Sequence, residues 1–235
     1  MGRSDSGWQE LKGCWPWGLY RDDAIGETRS GGERMYSYIE QQYTEVDFSH
    51  KDLRDGELRQ CTFTRCRFRG AHLEEVWTVG CQFVECDFSG AQLNGSVHTG
   101  SAFTNCRFHG ANLFVSKFEE CKMVGSDFSE ASLDGVTIEK GDWSYTSLRH
   151  ANLSKQSMRG VRFVEADLYE CNLEKCDLRD ADFSRAQLSR VRLFGADLRG
   201  AVLDGVNFKS FDVKGARMDA GQAVAFLRSY GAKVE

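Results

Sequence analysis

Pro16 is the only proline in 235 residues. The 24 glycines are scattered rather than gathered into runs, a pattern of many tight turns and not of flexible linkers. There is no basic surplus: 30 Lys and Arg stand against 35 Asp and Glu, a formal charge of -5, which argues against the usual basic nucleic-acid surface. Direct nucleic-acid binding is therefore not expected. No run of about eighteen uncharged apolar residues occurs, so no membrane span is supported. A charged-then-apolar leader is also missing, and the expected location is the cytoplasm. No Ser, His and Asp set, phosphate-binding glycine loop or metal-ligand cluster stands out. Neither an enzyme nor a cofactor is expected.

What is present is a repeat. Every fifth position from Phe48 to Met218 holds a large apolar residue, with Thr78 and His98 the exceptions. Two residues earlier in each unit stands a small or β-branched residue, broken only by Lys51, Gln156 and Phe211. The units read clearly in Cys86-Asp87-Phe88, Ala111-Asn112-Leu113 and Ala166-Asp167-Leu168. Five steps of an α-helix rotate the next apolar residue roughly 140° away. In a straight strand an odd spacing sends alternate apolar residues to opposite faces. The pattern fits a backbone that turns a corner once per unit and returns each large side chain to a common axis.

A twenty-residue period sets the number of sides. Phe48, Phe68, Phe88, Phe108 and Phe128 recur at that step, as do Leu53, Leu73, Leu93, Leu113, Leu133 and Leu153. Phe63, Phe83 and Phe103 begin a third column; Leu58, Thr78, His98, Phe118 and Ile138 form a mixed fourth. Four units per turn predict an all-β, right-handed, four-sided parallel β-helix over residues 35–218. With nearly nine coils about 4.8 Å apart, it would be roughly 40 Å long. Offset stacking in the Phe columns is worth about 0.5–1.5 kcal/mol per pair beyond burial.

A solenoid leaves open backbone and an apolar cross-section at each end. Residues 219–235 read as a helix with Asp219 as N-cap and Gly231 as its stop. Its apolar residues exceed one narrow stripe, so a cap that also forms a symmetric dimer interface is expected from Val213, Met218, Ala223, Val224, Phe226, Leu227 and Tyr230. Residues 1–34 follow no period and carry Trp8, Trp15 and Trp17. They read as a poorly ordered extension without a partner surface, with Met35 as the true or the functional start.

Cys61, Cys66, Cys81, Cys86, Cys106, Cys121, Cys171 and Cys176 fall in the small inward slot; only Cys14 does not. Zinc sites use two to four intervening residues and closing partners, whereas a five-residue step sends two thiols to adjacent walls. Reduced thiols acting as small hydrophobes are expected. His98 is the one ionisable residue expected at a core position, hydrogen-bonded to a neighbouring hydroxyl or water.

The unit pattern resembles the pentapeptide-repeat family over residues 40–235. Within that family the unbroken register, the segment Ser89–Cys106 and the ending Ala216–Phe226 are most similar to the mycobacterial fluoroquinolone-resistance proteins of the MfpA type, related to the Qnr proteins. The resemblance implies a homodimeric rod that imitates duplex DNA, binds DNA gyrase, with topoisomerase IV a further candidate, and shields it from topoisomerase poisons. A rigid rod bearing carboxylates suits a basic groove built for phosphates. Residues 119–182 hold 14 acidic and 8 basic residues, whereas 183–235 hold 5 and 9. The column Asp47, Arg67, Asp87, Arg107, Asp127 is expected to neutralise itself. Asp127 and Asp167, followed by Ser147 and Gln187, keep their charge within that column. With Glu120, Glu130, Glu165 and Glu170 at corner positions, they are the candidate gyrase-facing surface. The alternative is a non-enzymatic scaffold for an unrelated partner.

Overall fold

The computed structural model describes residues 36–235; the extension, 1–34, and Met35 lie outside them. From Tyr36 the chain winds into a four-walled parallel coil whose partners are twenty residues apart. Asp47 bridges Arg67, Arg67 bridges Asp87, and Asp87 bridges Arg107, all in parallel. We number the walls in chain order: wall 1 is centred on the Phe48 column, wall 2 on Leu53, wall 3 on Leu58 and His98, and wall 4 on Phe63.

Wall 3 carries a six-stranded parallel sheet of β1 (Tyr36–Ile39), β3 (Gly56–Arg59), β5 (Trp77–Val79), β7 (Val97–Thr99), β9 (Lys117–Glu119) and β10 (Thr137–Glu139) in that order. Wall 4 carries four strands, β2 (Gln42–Thr44), β4 (Thr62–Thr64), β6 (Gln82–Val84) and β8 (Ala102–Thr104). Walls 1 and 2 are held by single bridges. The difference follows the residues beside each central side chain. Thr62 and Thr64, Val97 and Thr99 favour extended backbone. Asp and Ser beside the wall 1 residues favour turns instead.

Each corner falls on a residue numbered in fives. Phe68 closes a turn by accepting the Ala71 N–H at 3.1 Å, with Gly70 at φ 57°, the positive angle a type II turn requires. Glycine is not the rule: Glu120, Glu130, Glu165 and Glu170 hold the same conformation at φ 53°, 59°, 55° and 55°. So does β-branched Val115 at φ 52°, where the branch crowds the backbone at a cost of about 1–2 kcal/mol.

The interior is filled by the columns. Rings of Phe48, Phe68, Phe88, Phe108 and Phe128 stack at 4.9, 4.7, 5.0 and 4.7 Å between centroids, with planes within 7°. Beside them Leu93, Leu113, Leu133 and Leu153 are all buried. The eight repeat cysteines are free and buried. Several donate Sγ–H to the central carbonyl of the previous coil, as Cys86 to Phe63 O at 3.3 Å and Cys176 to Leu153 O at 3.0 Å. Ser116 and Ser126 make the same bond to Leu93 O and Phe103 O, each at 2.8 Å. The small slot thus selects Cys and Ser for a carbonyl as well as for size. Burial pushes the Cys176 thiol up to about 11, away from thiolate reactivity.

His98 is wholly inside. Its Nδ1 lies 2.8 Å from Thr78 Oγ1 and its Nε2 2.9 Å from Ser96 Oγ, while its ring stacks on Phe118 at 4.9 Å. Both ring nitrogens are satisfied within the core, and burial drives its pKa down to about 3.

At the far end, helix α1 (Ala220–Ser229) closes the rod. Asp219 and Gln222 form a reciprocal capping box. The buried Gln222 amide donates to Leu198 O at 2.6 Å and to Ala201 O at 2.8 Å; Leu198 O also accepts the Ala201 N–H, whereas Ala201 O has no other backbone donor among the described residues. Asp219 also accepts from Gly200 N at 2.9 Å.

Candidate partner-binding surface

The axis of the rod is packed with side chains, and the candidate contact residues singled out in the sequence stand on its outside and at its C-terminal end. Among the described residues no three His, Cys, Asp or Glu side chains converge as a metal site, and no helix is long and apolar enough to cross a membrane.

The six carboxylates do not share one surface. A quarter turn takes five residues, so Glu130 and Glu170 stand on the edge between walls 1 and 2, and Glu165 on the edge between walls 4 and 1. Asp127 and Asp167 lie on wall 1 between those edges. Glu120 belongs to the edge between walls 3 and 4, diagonally across the rod from Glu130, and leaves the set. Five of the six therefore border wall 1.

Most of them are paired. Glu120 receives Lys140 at 3.0 Å, Glu165 receives Arg185 at 2.7 Å, and Glu170 is held by Arg190 at 3.0 Å and His150 at 3.2 Å. The Arg190 guanidinium keeps the Glu170 carboxyl below its ordinary range. Asp167 has Ser147 and Gln187 as its column neighbours, but Arg149 reaches it diagonally from the previous coil at 2.8 Å. Glu130 faces only the His109 ring, at 3.6 Å. Among the described residues Asp127 has no ion pair; it accepts from the backbone N–H and hydroxyl of Ser129 at 2.9 and 3.0 Å. The acidic excess of 119–182 is thus partly cancelled by the basic residues that follow it.

The expected neutralising ladder on wall 1 is realised at one rung. Arg67 pairs with Asp47 at 3.0 Å, but Asp87 takes Arg69 at 2.6 Å, and no ion pair joins Arg107 to Asp127. The reason is local. An Asp just before the central residue turns to cap the N–H two residues on, as Asp47 and Asp87 do for Ser49 and Ser89, each at 3.0 Å. The turn bond occupies one carboxylate oxygen, and the second oxygen decides the pair: on Asp47 it takes Arg67 of the same column, on Asp87 it takes Arg69. The repeated Asp-x-Ser was visible in the sequence, but its effect on charge was missed. So was Asp134, whose carboxylate accepts only from Asn152, at 3.0 Å. Asp127, Glu130 and Asp134 follow one another around the wall 1–wall 2 edge of one coil, with no Lys or Arg among the described residues paired to any of them.

The seven C-terminal residues divide by direction. Val213, Met218 and Phe226 pack on the core, with the Phe226 ring edge-on to Phe208 at 5.7 Å. Val224 is half-buried. Ala223, Leu227 and Tyr230 face solvent, Leu227 at 48% and Tyr230 at 58% exposure. Their spacing places them on one face of the helix.

A filled, four-walled parallel coil of five-residue units defines a solenoid in which each coil packs on its neighbours. Residues 44–76, 81–114, 146–185 and 186–219 match the model of the family described as Pentapeptide repeats, in eight copies, and the chain belongs to that family. No curated protein sequence matches it significantly. Among solved structures it is similar to a trypsin-treated variant of QnrB1, a plasmid-mediated fluoroquinolone resistance protein, with a TM-score of 0.76 and 22% identity, covering 85% of this chain and 99% of that one. A second trypsin-treated variant gives 0.75 and 21%, covering 84% and 99%. Full-length QnrB1 gives 0.66 and 19%, covering 83% and 100%. At these identities the shared property is the fold.

Proposed function

We propose that this protein is a gyrase-binding DNA mimic that confers protection against topoisomerase poisons of the fluoroquinolone or natural-product type. The observation that carries the reading is the carboxylate arc of Asp127, Glu130 and Asp134, none of which has a Lys or Arg partner among the described residues, on the outside of a packed rod. A row of anions on a stiff, narrow support is what a basic groove built for a phosphate backbone accepts. The likeness to QnrB1 supports the shape that the reading needs. In this proposal two rods join through Ala223, Leu227 and Tyr230, giving a longer rod with an acidic arc on each half.

Adding the purified protein to a gyrase supercoiling assay, with and without ciprofloxacin, tests it. Inhibition or drug protection is expected, and Asp127→Lys with Asp134→Lys should weaken it about tenfold or more. Glu120→Lys, on the opposite edge, should leave it within about twofold. Absence of inhibition, protection and binding alike would leave the second reading, a scaffold for an unrelated partner. That reading is favoured by the Arg and Lys partners of Glu120, Glu165, Asp167 and Glu170, which reduce the exposed charge.

A further inference from the structure

Phe114 and Val115 follow one another around the edge between walls 2 and 3, 51% and 50% exposed. Among the described residues no other two consecutive large apolar residues both face solvent. Gly95 and Gly135 occupy the same corner one coil before and one coil after, so the corner column offers Val115 no side chain to pack on. A Cβ on Gly135 would come 3.0 Å from Val115 Cγ1. Val115 also holds φ 52°, straining the corner while half of its surface stays in water. An exposed apolar pair on such a support marks a contact surface rather than a part of the core.

Asp134 follows Phe114 in the wall 2 column, one coil or about 4.8 Å away. Its carboxylate accepts from Asn152 at 3.0 Å and pairs with no Lys or Arg among the described residues. Lys117, the next cation along the chain, is turned along wall 3 to Glu119 and Glu139. An aromatic face beside a carboxylate suits a guanidinium, which stacks its plane on the one and donates its fork to the other. The rod shows this arrangement itself: Arg149 lies 4.5 Å over the Tyr169 ring while it pairs with Asp167 at 2.8 Å. At Phe114 the ring and the acid are in place, and among the described residues no Lys or Arg lies over the ring. Phe194, in the same column four coils or about 19 Å farther on, is the contrast. Its ring lies against Gly215, where a Cβ would come within 2.7 Å of it, and its acidic neighbour Glu174 is already paired with Arg192 at 3.7 Å.

We propose that Phe114, Val115 and Asp134 anchor the partner surface, an inference that rests on the gyrase reading above: an arginine of gyrase stacks on Phe114 and pairs with Asp134, and an apolar side chain beside it covers Val115. A phosphate backbone offers a basic groove charge but no apolar face, so the anchor gives the rod a hold that duplex DNA lacks. The partner it fits is a protein surface with an arginine next to an apolar residue. A nucleic acid would be repelled by Asp134, Glu130 and Asp127 on the adjoining coil.

Binding of the full chain to DNA gyrase holoenzyme, read as a dissociation constant by interferometry and as inhibition of supercoiling, tests the anchor. Phe114→Ser places on the column the residue type it already holds at Ser154 and should weaken binding about tenfold or more. Phe114→Trp keeps a ring face and should stay within about threefold of the unaltered chain. Val115→Gly should weaken binding while raising the unfolding midpoint, two shifts of opposite sense that a merely structural role would not produce. Phe194→Ser should leave binding within about twofold. Phe114→Ser combined with Asp134→Asn should lose less than the product of the two single losses, because one guanidinium touches both. Binding unchanged by Phe114→Ser and Val115→Gly in folded rods, or weakened equally by Phe194→Ser, would overturn the anchor and leave the gyrase reading standing; fully multiplicative losses would overturn the shared arginine. An unaltered chain that does not bind gyrase would overturn both.

Discussion

Replacing His98 with Leu should remove a defined part of the acid sensitivity of this fold. In the native rod the imidazole is enclosed, neutral and bonded through both nitrogens to Thr78 and Ser96, with its pKa lowered to about 3 by burial. In the unfolded chain it returns to about 6.5. The folded value is the depressed one, so the unfolded state takes up the proton first and stability rises with pH across this window. The contribution is fully present above about pH 6.5 and fades as the pH falls toward 3. At about 1.36 kcal/mol per unit, lowering the pH from 7 to 4 costs the wild type about 3 kcal/mol through this residue. His98→Leu loses the two hydrogen bonds at a pH-independent cost of about 1–3 kcal/mol, tempered because Thr78 keeps Ser101 at 3.0 Å and Ser96 keeps Ser116 at 3.2 Å. Urea unfolding of both proteins at pH 7, 6, 5 and 4, with hydrogen exchange of the Val97–Thr99 amides as a local probe, measures the difference. The stability gap should close by about 3 kcal/mol, and reverse if the cost of substitution is small. Parallel pH curves would refute the enclosed neutral imidazole.

Three further outcomes follow from the ends and corners. Val115→Gly relieves a β-branched residue at φ 52° and should stabilise the rod by about 1 kcal/mol in thermal unfolding; a lower midpoint would show that the corner is not strained. Gln222→Leu strands Ala201 O, a loss of about 1–3 kcal/mol, while Leu198 O keeps the Ala201 N–H at 2.9 Å. The exchange protection of α1 should collapse before that of the Phe stacks, and uniform loss along the rod would contradict its role as an end cap. Leu227→Glu with Tyr230→Glu should halve the mass measured by light scattering if the outward face of α1 joins two rods; an unchanged dimer would place the interface elsewhere.

The architecture was legible because the period assigns each residue to a wall by its number alone. The diagonal separation of Glu120 from Glu130 follows from that arithmetic, as do the corner pairs twenty residues apart, Glu45 with Arg65, Glu120 with Lys140, Glu165 with Arg185 and Glu170 with Arg190. The charge on wall 1 was less legible because it depends on how far a side chain reaches around a turn. Arg69 meets Asp87 and Arg149 meets Asp167 across eighteen residues, and Arg159 meets Asp180 across twenty-one, offsets that no column predicts. Corner occupancy was obscured for a related reason: Glu, Lys and Arg replace glycine in a left-handed conformation that costs them about 1–2 kcal/mol. The ridge ion pairs, each worth about 0–1 kcal/mol in solvent, offset only part of that strain. Charged corners therefore carry a net cost in stability, and the carboxylates without a cationic partner among the described residues, Asp127 and Asp134, are where a role in binding rather than in the fold is most readily tested.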